Sequence, residues 1–141
     1  MQRMVADILA DVRRWARTRG DVRGVALVGS YAAGKQRPDS DVDLVIIVEQ
    51  PDAYRNGDWA TAAVGGRAVV GTRAESFGDA WSLFVRLAEG PEIEFTFAGP
   101  AWADAAPPRE EVRRIVRHGC MVLHDPLGEL DALLVACQAN A

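Results

Sequence analysis

Two aspartates at the start of a strongly apolar segment constrain this chain more than any other feature of its sequence. Asp41 precedes and Asp43 lies within residues 42–48, where aliphatic side chains predict a buried strand. Buried strands seldom carry carboxylates, so these two need a physical explanation. Residues two apart on a strand point to the same face, about 7 Å apart, and can lean towards one point. The pattern therefore predicts a pair of carboxylates that share a cation.

Magnesium is the cation that fits this pair. It takes hard oxygen ligands and is usually held by one or two carboxylates together with the phosphates of a substrate. Two such ions, about 3.5 to 4 Å apart, stabilise both the attacking and the leaving oxygen of an in-line nucleotidyl displacement. We therefore expect two Mg²⁺ ions at Asp41 and Asp43, one of them brought in with a nucleoside triphosphate.

A glycine and a serine end the preceding apolar run. Gly29 lets a ligand approach the backbone closely, and Ser30 begins a predicted helical turn whose N–H groups favour an anion. In the loop that follows, Arg37 is the expected phosphate contact, although it could equally balance the charge of the aspartates. Ser40 is expected to cap or orient Asp41. These residues predict a triphosphate site between the two strands.

The segment 29–44, GSYAAGKQRPDSDVDL, resembles the signature of the nucleotidyltransferases of the DNA polymerase β superfamily. That signature has Gly-Ser, a loop, and then Asp, an apolar residue and Asp. The chain is most similar to the minimal prokaryotic members, whose usual form is GSYARG followed by a loop and SDxDL. Ala33 stands where many relatives carry arginine, which leaves Lys35 or Arg37 to contact phosphate. The resemblance implies an α/β fold with a mixed, largely antiparallel sheet flanked by helices.

The resemblance also implies a third carboxylate on a later strand beside the aspartates. Alternating apolar residues in the predicted strand 92–98 assign Glu92 and Glu94 to the face opposite the core. We choose Glu94 because it lies near the middle of the strand, whereas Glu92 adjoins the turn at Pro91. On the resemblance, Glu94 shares a metal ion with the aspartates and acts as, or assists, the general base that deprotonates an attacking hydroxyl.

The rest of the chain is predicted to form a single domain of 141 residues, with a core over 1–98 and a C-terminal helical extension over 99–141. About five strands are expected, and the last three form an antiparallel meander. Trp59 either packs over the sheet edge or stacks on a base, and packing is the preferred interpretation. The predicted elements are a helix at 1–19, strands at 22–28, 42–48, 68–73, 81–87 and 92–98, a helix at 109–118, a short strand or extended piece at 120–124, and a helix starting at Asp125-Pro126.

Composition argues against several classes of protein. The chain is 49% hydrophobic and 26% charged, and its net charge of -4 gives no general attraction to nucleic acid. No apolar run approaches the length of a membrane span, and the N-terminus lacks a signal-peptide pattern, so a cytoplasmic location is expected. Cys120 and Cys137 are expected to be reduced. His118 and His124 are expected to be surface or structural residues rather than zinc ligands or general bases.

These features predict a Mg²⁺-dependent nucleotidyltransferase. It would move a nucleoside monophosphate, AMP from ATP in our leading hypothesis, onto an acceptor hydroxyl and release pyrophosphate. Asp41, Asp43 and Glu94 are its expected catalytic residues and metal ligands. The acceptor is left open by the sequence, because a small molecule, a protein and an RNA end all present an alcohol.

Two other hypotheses compete with the enzyme. On the resemblance, some minimal members are antitoxin-like modules that neutralise or modify a helical protein, and such a partner or a homodimer would complete the cleft. A buried acidic pair without a metal costs folding energy, which argues against a purely structural role. The third hypothesis is an unrelated α/β domain in which the aspartates only cap a strand. It predicts that replacing either aspartate leaves metal affinity unchanged.

Overall fold

A computed structural model of the chain describes residues 1–139, which form one mixed sheet between two layers of helices. The N-terminal helix, the Gly-Ser turn and the first two strands follow the predicted order. Short 3-10 turns at Pro51–Tyr54 and Pro100–Ala103 connect some of the elements. The helices and strands are α1 (Arg3–Arg17), β1 (Val22–Val28), α2 (Gly29–Ala33), β2 (Val42–Val48), α3 (Ala60–Ala63), β3 (Val69–Phe77), β4 (Ala80–Leu87), β5 (Ile93–Ala98), α4 (Glu110–His118), β6 (Cys120–His124) and α5 (Glu129–Gln138).

The sheet has six strands in the order β3-β4-β5-β2-β1-β6. Only β2 and β5 pair in parallel, and the other four neighbouring pairs are antiparallel. The prediction of a mixed, largely antiparallel sheet is therefore confirmed. The predicted antiparallel meander consists of β3, β4 and β5. The sixth strand, β6, is the segment predicted as a short strand or extended piece, and it joins the edge of the sheet beside β1. A five-residue apolar segment does not reveal by its own pattern which strand it will pair with.

One face of the sheet carries the larger core. Alternate residues of β2 and β5, such as Leu44 and Phe95, pack there against α1, α3 and the 3-10 turn at Pro51–Tyr54. Trp59 is only 2% exposed, and its indole N–H donates to the Tyr54 carbonyl oxygen at 2.8 Å. The structure thus agrees with packing, rather than base stacking, as the role of Trp59.

The opposite face is covered only in part. Val45 and Ile47 of β2 lie under α4 and α5, where Leu130 and Leu133 are fully buried. The covering helices lie over the far end of β2 and leave its first residues accessible from this side. The segment after Ala98 therefore supplies a strand of the sheet as well as the helices that cover this face.

The last helix begins later than the sequence pattern predicts. α5 starts at Glu129 rather than at Pro126, because Gly128 takes a left-handed conformation with φ 73° that interrupts the helix. Asp125 still caps the helix, since its carboxylate accepts the backbone N–H groups of Leu130 and Asp131 at 3.0 and 2.9 Å. Leu127, predicted as part of the apolar stripe, is 66% exposed in the turn. Within residues 1–139, no helix is long and apolar enough to cross a membrane.

Candidate active site

Asp43 and Glu94 lie side by side on the parallel strands β2 and β5. They are register partners, and both line the accessible part of the sheet face under α4. Asp43 is also the register partner of Val28, so the end of β1 meets the start of β2 at this point. Glu92 precedes β5 and lines separate surface depressions. The strand register therefore pairs Asp43 with Glu94 and not with Glu92.

The pKa of Asp43 is raised from its ordinary value of 3.8 to about 7. Burial is the largest cause, followed by the negative charges of Glu94 and Asp41 and by a hydrogen bond with Glu94. Every one of these influences raises the pKa of Asp43. Asp43 is thus partly protonated at neutral pH unless a cation binds beside it.

Two hydroxyl groups hold the Glu94 carboxylate. Ser82 on β4 is fully buried, and its hydroxyl donates to Glu94 Oε2 at 2.8 Å. The Thr96 hydroxyl lies 2.7 Å from the Ser82 hydroxyl and donates to the same carboxylate oxygen at 3.4 Å. Sequence reasoning missed Ser82, although a single serine within an apolar strand is a signal for a buried hydrogen bond. The network positions Glu94 beside Asp43.

Gly29 contacts Asp43 so closely that a side chain would not fit. Its φ is +74°, and a Cβ atom built there would overlap Asp43 Oδ2. Gly29 is the first residue of α2, and Ser30 follows in the first turn of this short helix. The predicted Gly-Ser segment is therefore adjacent to the acidic pair.

The remaining predicted residues lie at the rim. Asp41 is exposed just before β2, near enough for its charge to act on Asp43, and it lines a neighbouring depression with Arg86. Ser40 Oγ accepts the backbone N–H of Arg37 at 2.7 Å, so this hydroxyl closes the loop that precedes Asp41. The Arg37 side chain is exposed on that loop. The structure therefore brings Gly29, Asp43 and Glu94 together and leaves the loop residues outside the cleft.

The carboxylates form a pair and not a complete metal cage. Within residues 1–139, no three histidine, cysteine or acidic side chains are grouped closely enough to hold one ion. Mg²⁺ usually needs only one or two carboxylates, because waters and substrate phosphates complete its coordination. The uncompensated negative charge on Asp43 and Glu94 therefore fits a divalent cation that arrives with a phosphate ligand, with Asp41 as an additional donor at the rim.

A cleft of about 650 Å³ extends from the acidic pair to α4. Trp102 and Ile115 give it an apolar wall, and Arg114 and His118 line the same side. Arg114 and His118 are four residues apart and so share one face of α4. Both side chains are exposed, which agrees with a surface position for His118, and Arg114 is a lining residue that sequence reasoning missed. The signal was the polar face of this helix, opposite the buried Val112 and Val116.

The end of α4 is held against α2 by a glycine. A Cβ atom at Gly119 would lie 2.7 Å from the backbone nitrogen of Ala33, so only a glycine permits this approach. His118, the preceding residue, is thereby placed near the helix that Gly29 begins. The close contact fixes the cationic face of α4 relative to the acidic pair.

Comparison with known protein families agrees with this geometry. A family model described as "Nucleotidyltransferase domain" matches residues 9–81, which include Gly29, Asp41 and Asp43. The fold and the family match together define an α/β nucleotidyltransferase domain. The chain belongs to the nucleotidyltransferase domain family. A comparison with curated proteins gave no match.

A solved structure with a similar fold is the crystal structure of an aminoglycoside 6-adenyltransferase from Bacillus subtilis. The TM-score is 0.54 at 14% sequence identity, and the similarity covers 75% of this chain. This chain corresponds to 38% of the length of that enzyme. The comparison confirms the polymerase β-like nucleotidyltransferase fold with its mixed sheet and flanking helices.

Proposed function

We propose that this chain transfers a nucleoside monophosphate, AMP from ATP, to an acceptor hydroxyl and releases pyrophosphate, with Mg²⁺ as the cofactor. The observation that carries the proposal is the pairing of Asp43 with Glu94 on adjacent strands, where the pKa of Asp43 is raised to about 7. A site that accumulates negative charge in this way favours a divalent cation. Membership of the nucleotidyltransferase family supports the type of transfer.

In this proposal, Asp41, Asp43 and Glu94 would hold two Mg²⁺ ions, one of which would arrive with the triphosphate. The ions would supply charge stabilisation to the attacking and leaving oxygens. A bond forms between the acceptor oxygen and the α-phosphorus, and the bond between that phosphorus and the bridging oxygen of pyrophosphate breaks. Glu94, oriented by Ser82, takes the hydroxyl proton directly or through a water molecule.

The polyphosphate is expected between α2 and α4. Gly29 and Ser30 would present backbone N–H groups and a hydroxyl, while Arg114 and His118 would contact phosphate oxygens from the other side of the cleft. Arginine suits this role because its guanidinium group binds phosphate through two parallel hydrogen bonds. We therefore assign the main phosphate contacts to α4 in place of Arg37, whose side chain lies outside the cleft.

A second candidate is an antitoxin-like module that binds or modifies a helical protein partner. Ile115 supports it, because this apolar residue is 38% exposed in the wall of the cleft, where a partner helix could cover it. The two candidates share the acidic site and differ in what presents the acceptor hydroxyl. In the first candidate a small molecule, a protein or an RNA end presents it; in the second the chain neutralises or modifies a helical partner protein.

Thermal unfolding with each of the four nucleoside triphosphates, with and without Mg²⁺, tests the proposal. A ligand at a hundred times its dissociation constant adds about 2.7 kcal/mol of stability, or roughly 5 to 10 °C for a domain of this size. We expect a Mg²⁺-dependent shift that is largest with ATP and is lost in Asp43→Asn. Asp7→Asn, an exposed change on α1, is the matched control. A wild-type protein that no triphosphate stabilises would contradict the proposal. Stabilisation without transfer to small acceptors would favour the second candidate.

A further inference from the structure

β3 forms one edge of the sheet and is much longer than the strand at the other edge. It has nine residues, and residues 72–77 are all exposed, whereas β6 at the opposite edge has five residues. Within residues 1–139, no strand pairs with the outer side of β3. An exposed edge offers unpaired backbone N–H and C=O groups that a further strand can bind.

We propose that β3 is a dimer interface at which two copies of this chain pair antiparallel, with Ala74 opposite Ala74 of the second copy. In this register, three kinds of favourable pair form twice each. Arg73 lies opposite Glu75, Thr72 opposite Ser76, and Gly71 opposite Phe77. Opposite charges, paired hydroxyls and an aromatic ring beside a glycine are all cross-strand combinations that stabilise sheets.

The two charged residues select the register. Arg73 and Glu75 lie on the same face of β3, contact each other, and are 57% and 45% exposed. A shift of two residues in either direction would place Arg73 against Arg73, or Glu75 against Glu75, and like charges directly opposite destabilise a strand pair. Only the register centred on Ala74 gives an alternating group of four charges.

The other pairs agree with the same register. Ser76 Oγ accepts a hydrogen bond from Arg55 at 3.2 Å, and its own hydrogen can still be donated to Thr72 of the second copy. Phe77 is 47% exposed, which is unusual for a large aromatic side chain, and in the dimer it would lie beside Gly71. The charges on this edge are therefore self-complementary, and a second copy of the chain is the occupant that matches them.

The pairing also determines where the two candidate active sites lie. Glu75 is the register partner of Ser82, which bonds to Glu94, so the charged face of β3 is the face of the acidic pair. The twofold axis at Ala74 would be perpendicular to the sheet. The two sheets would become continuous, and both clefts would open on the same side of the dimer.

Sedimentation velocity on wild type, Arg73→Glu, Glu75→Arg and the double swap tests the inference. We expect a wild-type dimer and a roughly ten- to hundredfold weaker association for each single reversal, because both charge pairs become repulsive. The double swap should restore the dimer. An equimolar mixture of the two single variants should form a heterodimer, since one chain then carries two glutamates on this edge and the other carries two arginines. Arg13→Glu, an exposed reversal on α1, controls for net charge.

Three outcomes would overturn the inference. One is a wild-type protein that stays monomeric across the micromolar range, and another is a dimer that survives both single reversals. The third is the absence of a heterodimer when the two single variants are mixed. Circular dichroism and thermal unfolding of every variant establish that it is folded, because Arg73 also lies 4.0 Å from the Phe84 ring within its own chain.

Discussion

Asp43 is paired with Glu94 across the parallel strands β2 and β5, and the charge of Glu94 helps to raise the pKa of Asp43 to about 7. The fold therefore holds Asp43 beside a second carboxyl group at a cost, since burial and the charge of Glu94 both disfavour ionisation of Asp43. A bound divalent cation would remove that cost. The carboxylate of Asp43 therefore lowers the stability of the metal-free protein, and the proposed chemistry requires the same carboxylate.

Replacing Asp43 with asparagine is expected to abolish nucleotidyl transfer while raising stability. The neutral amide removes a partly buried charge. We expect its removal to raise the free energy of unfolding by about 1 to 2 kcal/mol at pH 8, after discounting for partial exposure. The melting temperature should rise by roughly 3 to 8 °C in the absence of metal. Asp7→Asn should leave both properties unchanged. A destabilised Asp43→Asn protein would show that the carboxylate makes a structural bond that we have not recognised.

The stability of the metal-free protein should fall as the pH rises. The folded-state pKa of Asp43 lies above the ordinary value of 3.8, so the folded state binds this proton more tightly than the unfolded state does. Its contribution to stability is therefore complete below about pH 4, declines up to about pH 7 and is constant above.

The melting-temperature difference between wild type and Asp43→Asn, measured in EDTA from pH 4 to pH 9, isolates this group from the other titrating residues. Wild type should lose stability relative to the variant over that interval. Mg²⁺ at pH 8 should restore part of the loss in wild type only. A difference that does not change with pH would mean that the pKa of Asp43 is ordinary.

Gly29→Ala should be more damaging than the same change at Gly34. Both glycines have positive φ, +74° and +71°, but a Cβ atom at Gly29 would overlap Asp43 Oδ2, whereas nothing lies within 4 Å at Gly34. The backbone cost of roughly 1 to 2 kcal/mol is common to both variants. We expect Gly29→Ala to cost at least about 1 kcal/mol more in chemical denaturation and to lose the nucleotide-induced shift. Equal costs would indicate that Asp43 moves aside freely.

Arg114→Gln and His118→Gln should weaken polyphosphate binding specifically. Hydrogen bonds to charged groups contribute about 1.5 to 3 kcal/mol, so we expect a ten- to hundredfold loss of affinity for ATP and pyrophosphate in the double variant. Affinity for AMP should change much less. Arg3→Gln, an exposed change on α1, is the control. Isothermal titration calorimetry with ATP, pyrophosphate and AMP measures the three affinities for each variant. An equal loss for AMP and ATP would place these cations near the nucleoside or its α-phosphate instead.

Local pattern was sufficient for the elements that build the acidic site. The strand at 22–28 was predicted with the bounds that β1 has, and the Gly-Ser turn and β2 followed as expected. These elements can be predicted from the sequence alone because each is a strongly apolar run bounded by a glycine or an aspartate. The short β6 and the late start of α5 were less predictable, because strand pairing and the conformation of Gly128 depend on contacts outside each segment.

The sequence by itself determined that Asp41 and Asp43 would lie at the start of a buried strand that follows a Gly-Ser turn, because residue spacing and backbone sterics act over a few residues. Glu94 was chosen from its place in the predicted strand and from the family resemblance, but only the tertiary structure decided that it is the register partner of Asp43, that Ser82 holds it, and that Arg114 and His118 of α4 line the cleft. These relationships join residues far apart in the chain. They depend on the register of paired strands and on helix packing, which no local pattern encodes.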